Sequence, residues 1–301
     1  MKTKLPYAMI FFESQVLSMI IEIIKAIING IVEGITEWLP ISSTGHLILV
    51  QEFIPFKLMT ANFIEMFNVV IQLGAIMAVV VTFWYKIWPL RTNAKTKKLF
   101  LDAKITNLWI KILIASVPAA VIGLLFDDKI DELFFNPWVV SAMLILYGIF
   151  FIVIENYYKH KTFKITDIEG IDYKTALLIG IFQLLALIPG TSRSGATIIG
   201  AMLIGVNRVS SAQFTFYLAI PVMLGASLLK LVKFVVKSGL LSFTELSILL
   251  LGSIVAFIVS LKAISFLMDY VKRNDFKVFG IYRIVLGVVV LLIFGVKLLL
   301  A

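Results

Sequence analysis

The chain contains a series of apolar stretches close to twenty residues long, and these stretches limit its fold more than any other feature. A helix needs about 20 apolar residues to cross the hydrocarbon core of a bilayer. Of the 301 residues, 60% are hydrophobic and 15% are charged, which is more apolar side chain than a soluble domain could bury. The sequence therefore predicts an all-α polytopic membrane protein. The unbroken stretches, which predict about six transmembrane helices, cover residues 63–84, 108–126, 138–154, 214–232, 246–268 and 278–300.

Two further apolar stretches are interrupted by proline beside a cluster of Ser, Thr and Gly. The first interruption lies in the motif EGITEWLPISSTGH at residues 33–46, and the second in PGTSRSGAT at residues 189–197. Non-helical backbone at membrane depth is tolerated only where protein or a water-filled cavity surrounds it. Paired broken segments therefore point to the functional centre. The two segments match in order: Gly30 with Gly180, Glu33 with Gln183, and Pro40 with Pro189.

This match predicts an internal repeat, with one copy at roughly residues 16–156 and the other at 174–301, inside a single membrane domain covering residues 1–301. Each copy has one broken stretch followed by three unbroken ones. If each broken stretch is a re-entrant hairpin, the three following spans place the second copy on the opposite face. The sequence thus predicts two re-entrant hairpins in an inverted-topology repeat, approaching each other from opposite sides.

Loop charge predicts which face is cytoplasmic, because Lys and Arg accumulate in cytoplasmic loops. The loop acids Asp127, Asp128, Asp131 and Glu132 fall on the face with few basic residues, which we predict to be outside together with both termini. The net charge of +9 is explained in the same way, and no nucleic-acid partner is predicted. The basic face carries Lys86, Arg91, Lys95, Lys97, Lys98, Lys104, Lys159, Lys161, Lys164, Lys174, Lys272, Arg273 and Lys277; the other carries Lys57, Lys129, Lys233 and Lys237.

Glu33 and Glu37 are four residues apart inside an apolar stretch, so a helix places them on one face. A bare carboxylate there is costly, and two neighbouring ones repel each other unless a cation lies between them or one is protonated. The pair therefore predicts a site for a divalent cation, Mg2+ or Ca2+, which prefers oxygen ligands. The alternative is a pair of glutamates that face water at a helix end.

The second motif has the composition of an anion site. Gly190 permits a tight turn with exposed backbone N–H groups, and Arg193 offers a planar fork that suits phosphate. The helix that resumes at Ala196 would direct its N-terminus at the anion. The motif is not a Walker loop, because the Gly-Lys-Ser/Thr ending is missing. The alternative is a helix cap with an Arg that reaches toward water. The predicted hydroxyl donors are Thr191, Ser192, Ser194 and Thr197.

His46 follows Ser42 and Ser43 closely in the first motif. Histidine is the usual general acid or base near neutral pH, and a serine beside a base can act as a nucleophile. A packing role for His46 is the alternative. Glu65, Asn68 and Gln72 lie about a turn apart on one span, where they could line the cavity or form hydrogen bonds between helices. His160 lies in a loop and is predicted to be solvated.

Two other classes of function fit parts of this pattern. Paired broken helices are also typical of secondary transporters, so a carrier of a phosphorylated lipid could use Arg193 as its binding site. Two carboxylates and a histidine beside an anion site favour an enzyme over a carrier. A scaffold held together by polar contacts between helices would not explain why the polar groups cluster in two matching motifs.

These motifs make the chain similar to the undecaprenyl-diphosphate phosphatase family, also called the bacitracin-resistance phosphatases. The resemblance covers nearly the whole chain and includes VIQLGAI at residues 70–76 and FTFYLAIP at 214–221. It implies a bacterial plasma-membrane enzyme with an outward-facing active site and a divalent metal requirement. Its substrate would be undecaprenyl diphosphate, and its products undecaprenyl phosphate and inorganic phosphate. Asn68 departs from the family pattern, which has an acidic residue there.

From the residues and the resemblance together, we predict that the diphosphate is bound by Ser42, Gly190, Thr191, Ser192, Arg193, Ser194 and Thr197. Glu33 and Glu37 hold the metal, or one of them activates water. His46 transfers a proton, and Ser43 is either the nucleophile or a further phosphate ligand. The sequence leaves open whether Ser43 or water attacks, and whether the protein forms a homodimer.

Overall fold

The computed structural model describes residues 5–93 and 97–300, and it is almost entirely helical. Lys95 of the predicted basic face lies outside the described residues. Within these residues, one two-stranded antiparallel sheet pairs Leu90 with Leu101. The elements are α1 Leu5–Thr36, α2 Ser43–Phe53, α3 Ala61–Val70, α4 Gln72–Ile87, β1 Leu90–Thr92, β2 Leu99–Leu101, α5 Ala103–Phe134, α6 Pro137–Tyr158, α7 Tyr173–Gln183, a 3-10 turn Leu184–Leu187, α8 Arg193–Ile204, α9 Arg208–Ser238, α10 Phe243–Tyr270 and α11 Lys277–Leu300.

Seven segments in the described part of the chain are long and apolar enough to cross a membrane, which confirms the all-α polytopic class. Six of them contain the predicted unbroken stretches, with α3 and α4 together forming one. The seventh, Gln15–Thr36, is the first arm of the first broken stretch, so this arm also has the length of a span. Both arms of the second broken stretch, Tyr173–Leu187 and Arg193–Ile204, are shorter.

Both predicted breaks are present. Helix α1 ends at Thr36 and α2 begins at Ser43, so residues 37–42 form the tip of the first hairpin. The 3-10 turn ends at Leu187 and α8 begins at Arg193, so residues 188–192 form the tip of the second hairpin. Proline cannot donate a backbone hydrogen bond and excludes the preceding residue from helical geometry, which explains why both helices stop near Pro40 and Pro189.

Polar residues in the loops start most of the long helices by accepting hydrogen bonds from otherwise unpaired backbone N–H groups. Asp102 caps α5 through two such bonds, and Asn136 caps α6 immediately before Pro137. Ser242 and Glu245 form a reciprocal capping box at the start of α10. The short connections are therefore fixed by local chemistry, and the helices lie side by side as the apolar pattern requires.

Glycines allow the hairpins to pack closely against long helices in matching positions. A β-carbon at Gly30 would lie 2.6 Å from the Gly252 carbonyl oxygen on α10, and one at Gly180 would lie 2.2 Å from the Ala115 carbonyl oxygen on α5. Helices α6 and α11 meet at a reciprocal pair, because a β-carbon on Gly148 or Gly280 would lie 2.6 Å from the carbonyl oxygen of the other. These paired contacts support the predicted repeats at 16–156 and 174–301, which stay a prediction.

We expect Gly180→Ala to lower the melting temperature of the purified protein in detergent. The added methyl would overlap the α5 backbone, and overpacking of this kind costs about 1–3 kcal/mol. Gly225→Ala on α9 is the matched control, since a β-carbon there has no atom within 4 Å. The control should be neutral or slightly stabilising, because alanine is favoured over glycine in a helix. Equal melting temperatures for the two variants would contradict the close approach of α7 and α5.

Candidate active site

The two hairpin tips meet inside the protein. Arg193 Nη2 donates a hydrogen bond to Glu37 Oε1 over 3.1 Å, and both side chains are about nine-tenths buried. Ser194 Oγ adds a 3.2 Å bond to the Glu37 backbone carbonyl. The carboxylate of the first motif and the guanidinium of the second, far apart in sequence, are therefore direct partners. Removing one member of such a buried pair leaves the other charge uncompensated and is strongly destabilising. The pair therefore favours a structure in which the two motifs stay in contact.

The backbone turns in the same way at both tips. Ser42 and Ser192 have φ values of 73° and 71°, and each caps the following helix by accepting from Gly45 N at 3.4 Å or Gly195 N at 3.2 Å. The offset in residue number between Ser42 and Ser192 is the same as that between Gly30 and Gly180. With this offset, Pro40 corresponds to Gly190. The sequence motifs instead pair Pro40 with Pro189, one position earlier.

Glu37 is also in contact with the predicted nucleophile. Ser43 Oγ donates to Glu37 Oε2 over 2.9 Å, so the two carboxylate oxygens accept from Ser43 and Arg193 respectively. A serine hydroxyl bonded to a carboxylate has the geometry of a nucleophile beside its base. Arg193 is held further by Nη1 donating to the Thr215 carbonyl at 2.9 Å, and its guanidinium lies 5.7 Å from the centre of the Trp38 ring.

Unpaired polar atoms mark the same place. In the part of the chain that the structure describes, most buried side-chain atoms without a hydrogen-bond partner lie in the two motifs, and Asn29 Oδ1 and both amide atoms of Gln183 lie outside them. Buried polar groups are nearly always paired in folded proteins, so such a concentration points to a polar ligand. The atoms within the motifs are both carboxylate oxygens of Glu33, Trp38 Nε1, Thr191 Oγ1 and Arg193 Nε.

The other predicted phosphate-binding residues surround these atoms. Gly190 has a φ of 91°, a conformation that glycine adopts without strain. Ser192 Oγ lies 3.1 Å from Ser194 Oγ. Thr197 is occupied within the protein, because its hydroxyl donates to the Arg193 carbonyl at 2.9 Å and accepts from Thr215 Oγ1 at 2.9 Å. It therefore supports the backbone of Arg193, while Thr191 has the free hydroxyl.

His46 contacts neither Ser43 nor Arg193 through a hydrogen bond. Its Nδ1 lies 2.7 Å from the Ser42 carbonyl oxygen and its Nε2 lies 2.7 Å from the Tyr282 hydroxyl. A carbonyl can only accept, so these partners assign the proton to Nδ1 and leave Nε2 to accept from Tyr282 in the neutral ring. The base within reach of Ser43 is thus Glu37.

Two of the three polar residues of the following span form hydrogen bonds away from the hairpin tips. Glu65 pairs with Lys230 at 2.9 Å, and Asn68 accepts from Gln51 at 2.9 Å. Both contacts join different helices, as the hydrogen-bonding alternative predicts. Gln72 is partly buried at the start of α4, and His160 is exposed in its loop.

Comparison with known proteins agrees with the arrangement of the two motifs. The family profile described as bacitracin resistance protein BacA matches residues 26–289. The chain belongs to this family.

Curated relatives bear the name undecaprenyl-diphosphatase. The relative from Acetivibrio thermocellus is 60% identical over 259 residues, covering 86% of this chain and 93% of its own length. The relative from Enterococcus faecalis is 57% identical over 258 residues, covering 86% and 92%. One from Desulfitobacterium hafniense is 56% identical over 265 residues, covering 87% and 92%. The residues that the family profile matches, 26–289, include both hairpin tips, the first five unbroken spans and part of the sixth.

Two further residues of this family member lie at the site and were missed in the sequence. Tyr282 is the hydrogen-bond partner of His46, with the two rings stacked 5.6 Å apart. Arg283, next to it on α11, is fully buried and bonds to the backbone of both tips. An ionisable residue inside a membrane span is a functional candidate by itself, and this signal in the stretch 278–300 could have identified Arg283.

Proposed function

We propose that this chain is a membrane phosphatase that hydrolyses undecaprenyl diphosphate to undecaprenyl phosphate and inorganic phosphate. This activity recycles the lipid carrier for peptidoglycan synthesis and confers resistance to bacitracin. The observation that supports it most is the meeting of the two tips, where Arg193, Glu37 and Ser43 form one hydrogen-bonded chain beside unpaired polar atoms. The names and high identity of the relatives support the substrate.

Arg193 is the main phosphate ligand in this proposal. Its Nε is buried without a partner, and Thr191 offers a free hydroxyl from the same tip. A guanidinium binds phosphate through two parallel hydrogen bonds, so substrate binding would satisfy donors that the protein leaves unpaired. Ser42, Ser192, Ser194 and the backbone at Gly190 surround the same place. Such prepared donors stabilise the charge that spreads over the transferred phosphoryl group.

Ser43 is the proposed nucleophile, and its bond to Glu37 supports this choice over direct attack by water. Ser43 Oγ forms a bond to the terminal phosphorus while its proton moves to Glu37 Oε2. The bond between that phosphorus and the bridging oxygen breaks, and undecaprenyl phosphate leaves with the electron pair. Water then hydrolyses the phosphoserine to release inorganic phosphate. His46, held by Tyr282, is the proposed proton-transfer group for the water step.

The residues also fit the predicted divalent cation. Both oxygens of Glu33 are buried without partners, which is the environment of a carboxylate prepared for a cation. Within the described residues, no three His, Cys, Asp or Glu side chains could hold a metal together. Mg2+ is commonly bound by one or two carboxylates plus substrate phosphates, so Glu33 would be its main protein ligand. Glu37, the second predicted ligand, already accepts hydrogen bonds from Ser43 and Arg193. When bound, the cation neutralises charge on the phosphate oxygens.

A lateral groove beside the second hairpin is the proposed binding place for part of the prenyl tail. The groove has a volume of about 380 Å3 and an almost wholly apolar lining. It begins at Tyr147, whose ring lies 5.6 Å from the Arg283 guanidinium, and passes Ala196, three residues after Arg193. Its other end is at Tyr157 and Leu203. A tail in this groove would remain in an apolar environment while the diphosphate reaches the tips.

The first test is phosphate release from a polyprenyl diphosphate by purified protein in detergent, with and without Mg2+ or Ca2+. We expect the cation to be required. We expect Arg193→Ala and Glu37→Ala to lose at least about 10²-fold in kcat, as removal of a charge-stabilising donor does. Ser43→Ala should lose as much, and radioactive substrate should leave phosphate on Ser43 of the wild-type enzyme.

The control is Lys233→Ala, which changes a charge on α9 outside the site and should keep normal turnover. If the folded wild type releases no phosphate, the phosphatase proposal fails and lipid translocation in liposomes becomes the next measurement. Normal turnover by Ser43→Ala would assign the attack to water instead.

The groove is tested by filling it. Leu203→Trp places a large side chain in the groove, so the tail can no longer pack against the apolar lining. The kcat/KM for undecaprenyl diphosphate should therefore fall by roughly fivefold or more. A short prenyl diphosphate, which does not reach Leu203, should react as it does with the wild type. Leu228→Trp is the matched control, since Leu228 is similarly exposed on α9. Equally reduced kcat/KM for both substrates would argue against a tail site in the groove.

The active site is proposed to face outward. The loops at one end of the bundle are joined by Lys104 with Glu169, by Asn207 N with the Ile165 carbonyl, and by Phe276 N with Glu155. These connections include the predicted cytoplasmic loops. At the other end, Lys230 and Lys233 form ion pairs with Asp127, Asp128, Asp131 and Glu65, so their charges are locally balanced and weigh little against this orientation.

Single cysteines test the orientation cleanly, because the natural chain has none. In intact cells, a membrane-impermeant maleimide should label Lys57→Cys and leave Lys161→Cys unlabelled. The reverse pattern would invert the topology.

The homodimer also stays a proposal, and the mass of the detergent-solubilised protein would test it.

A further inference from the structure

Arg283 is a fully buried cation that has no carboxylate partner among the residues that the structure describes. Its side chain is fully buried on α11, and all the acceptors found for it in the described chain are backbone carbonyls. Burying a charge costs several kcal/mol unless polar groups compensate it. The buried guanidinium must therefore be stabilised by specific hydrogen bonds, and the partners in these bonds indicate the role of Arg283.

The guanidinium bridges the two hairpin tips. Nη1 donates to the Pro40 carbonyl at 3.2 Å, and Nη2 donates to the Gly190 carbonyl at 2.9 Å. Pro40 and Gly190 occupy equivalent places in the two motifs, because they differ in residue number by the same offset as Ser42 and Ser192. One side chain therefore binds equivalent backbone carbonyls in the two tips.

Further contacts fix Arg283 itself. Nη2 also donates to the Thr191 carbonyl at 2.8 Å, and the Met143 carbonyl on α6 lies 3.3 Å away. Nε reaches the Leu144 carbonyl at 3.4 Å. A β-carbon on Gly195 would lie 3.2 Å from Nη1, so glycine at that position leaves room for the guanidinium. The fork is thus anchored on α6 and α11, the closely packed pair that meets at Gly148 and Gly280.

We propose that Arg283 is a positioning residue that fixes the two tips relative to each other. This inference rests on the proposed function, because the reaction needs Ser43 and Glu37 from one motif and Arg193 from the other in one constant geometry. A planar guanidinium can donate in two directions at once, whereas a lysine ammonium is a compact point charge. Bridging equivalent carbonyls therefore calls for arginine and not simply for a positive charge.

The test compares Arg283→Lys and Arg283→Met with Arg208→Lys. Arg208 is the matched control, because it too is an arginine that joins helices, through its ion pair with Glu155 at the basic end, but it lies outside the site. We expect both Arg283 variants to lose about 10²-fold in kcat, the effect of misplacing catalytic groups by about 1 Å, with KM changed by less than about threefold. Arg208→Lys should keep the kcat of the wild type in its folded fraction.

A second measurement follows the tips without using activity. Spin labels on Leu39→Cys and Ile188→Cys report the distance between the two tips in a chain that has no other cysteine. The distance distribution should be narrow in the wild type and with Arg208→Lys, and should broaden with Arg283→Lys and Arg283→Met. A merely destabilising change would lower the folded fraction without broadening this distribution.

The outcomes separate the two proposals. If the wild type is inactive, the phosphatase proposal fails, and the spin-label distances still decide whether Arg283 fixes the tips. If Arg283→Lys has wild-type kcat and a narrow distribution, the positioning role is wrong. Should both Arg283 variants fail to fold, Gly195→Ala would press on Nη1 with Arg283 still present. Lower kcat with a broadened distribution would then support the role, and unchanged values would reject it.

Discussion

The buried ion pair between Arg193 and Glu37 is the contact on which the geometry of the candidate active site depends. Each of these charges alone would be costly in an apolar interior, and the two become tolerable there only as partners. Their pairing requires the two hairpins to meet tip to tip. The hairpins also pack closely against long helices: α1 approaches α10 at Gly30 and α7 approaches α5 at Gly180, where a β-carbon would overlap the backbone of the neighbouring helix.

The tips themselves are locally strained and are held from outside. Ser42 and Ser192 adopt positive φ angles that cost a side-chain-bearing residue about 1–3 kcal/mol, and such conformations persist only where the surroundings determine them. The surroundings include the serine caps on Gly45 and Gly195 and the bonds from Arg283 to both tips. The contacts of Arg283 thus help to hold both tips in their strained conformation. In that conformation Ser43 and Arg193 both form hydrogen bonds to the Glu37 carboxylate.

The polar atoms that the protein leaves unpaired distinguish a site for chemistry from polar contacts that only join helices. Where helices are joined, as by Glu65 with Lys230 or Asn68 with Gln51, every partner is supplied by the protein. At the tips and on the helix turns next to them, Glu33, Gln183 and Thr191 keep buried polar atoms without partners among the described residues. A scaffold would have no use for such a cost. The proposed substrate and the proposed cation would together satisfy the cationic and the anionic groups of the candidate site.

Most of the fold could be predicted from the sequence, because apolar stretches of membrane length and proline breaks act locally. The six unbroken spans and both breaks could be predicted from it, and so could Glu37, Ser43 and Arg193 as candidate site residues. Individual contacts were not, because they depend on packing between distant elements. The sequence did not show that Glu37, and not His46, contacts Ser43, nor that Thr197 is occupied by Thr215.

The sequence by itself determined the membrane class, the two broken segments and the kinds of chemical group at the centre, since hydropathy and residue type are properties of the chain. Only the tertiary structure decided the partners: Tyr282 for His46, Arg193 for Glu37, and the carbonyls of both tips for Arg283. The physical reason is that a hydrogen bond requires two groups within about 3 Å, and only the packed helices fix that distance between residues so far apart in the chain.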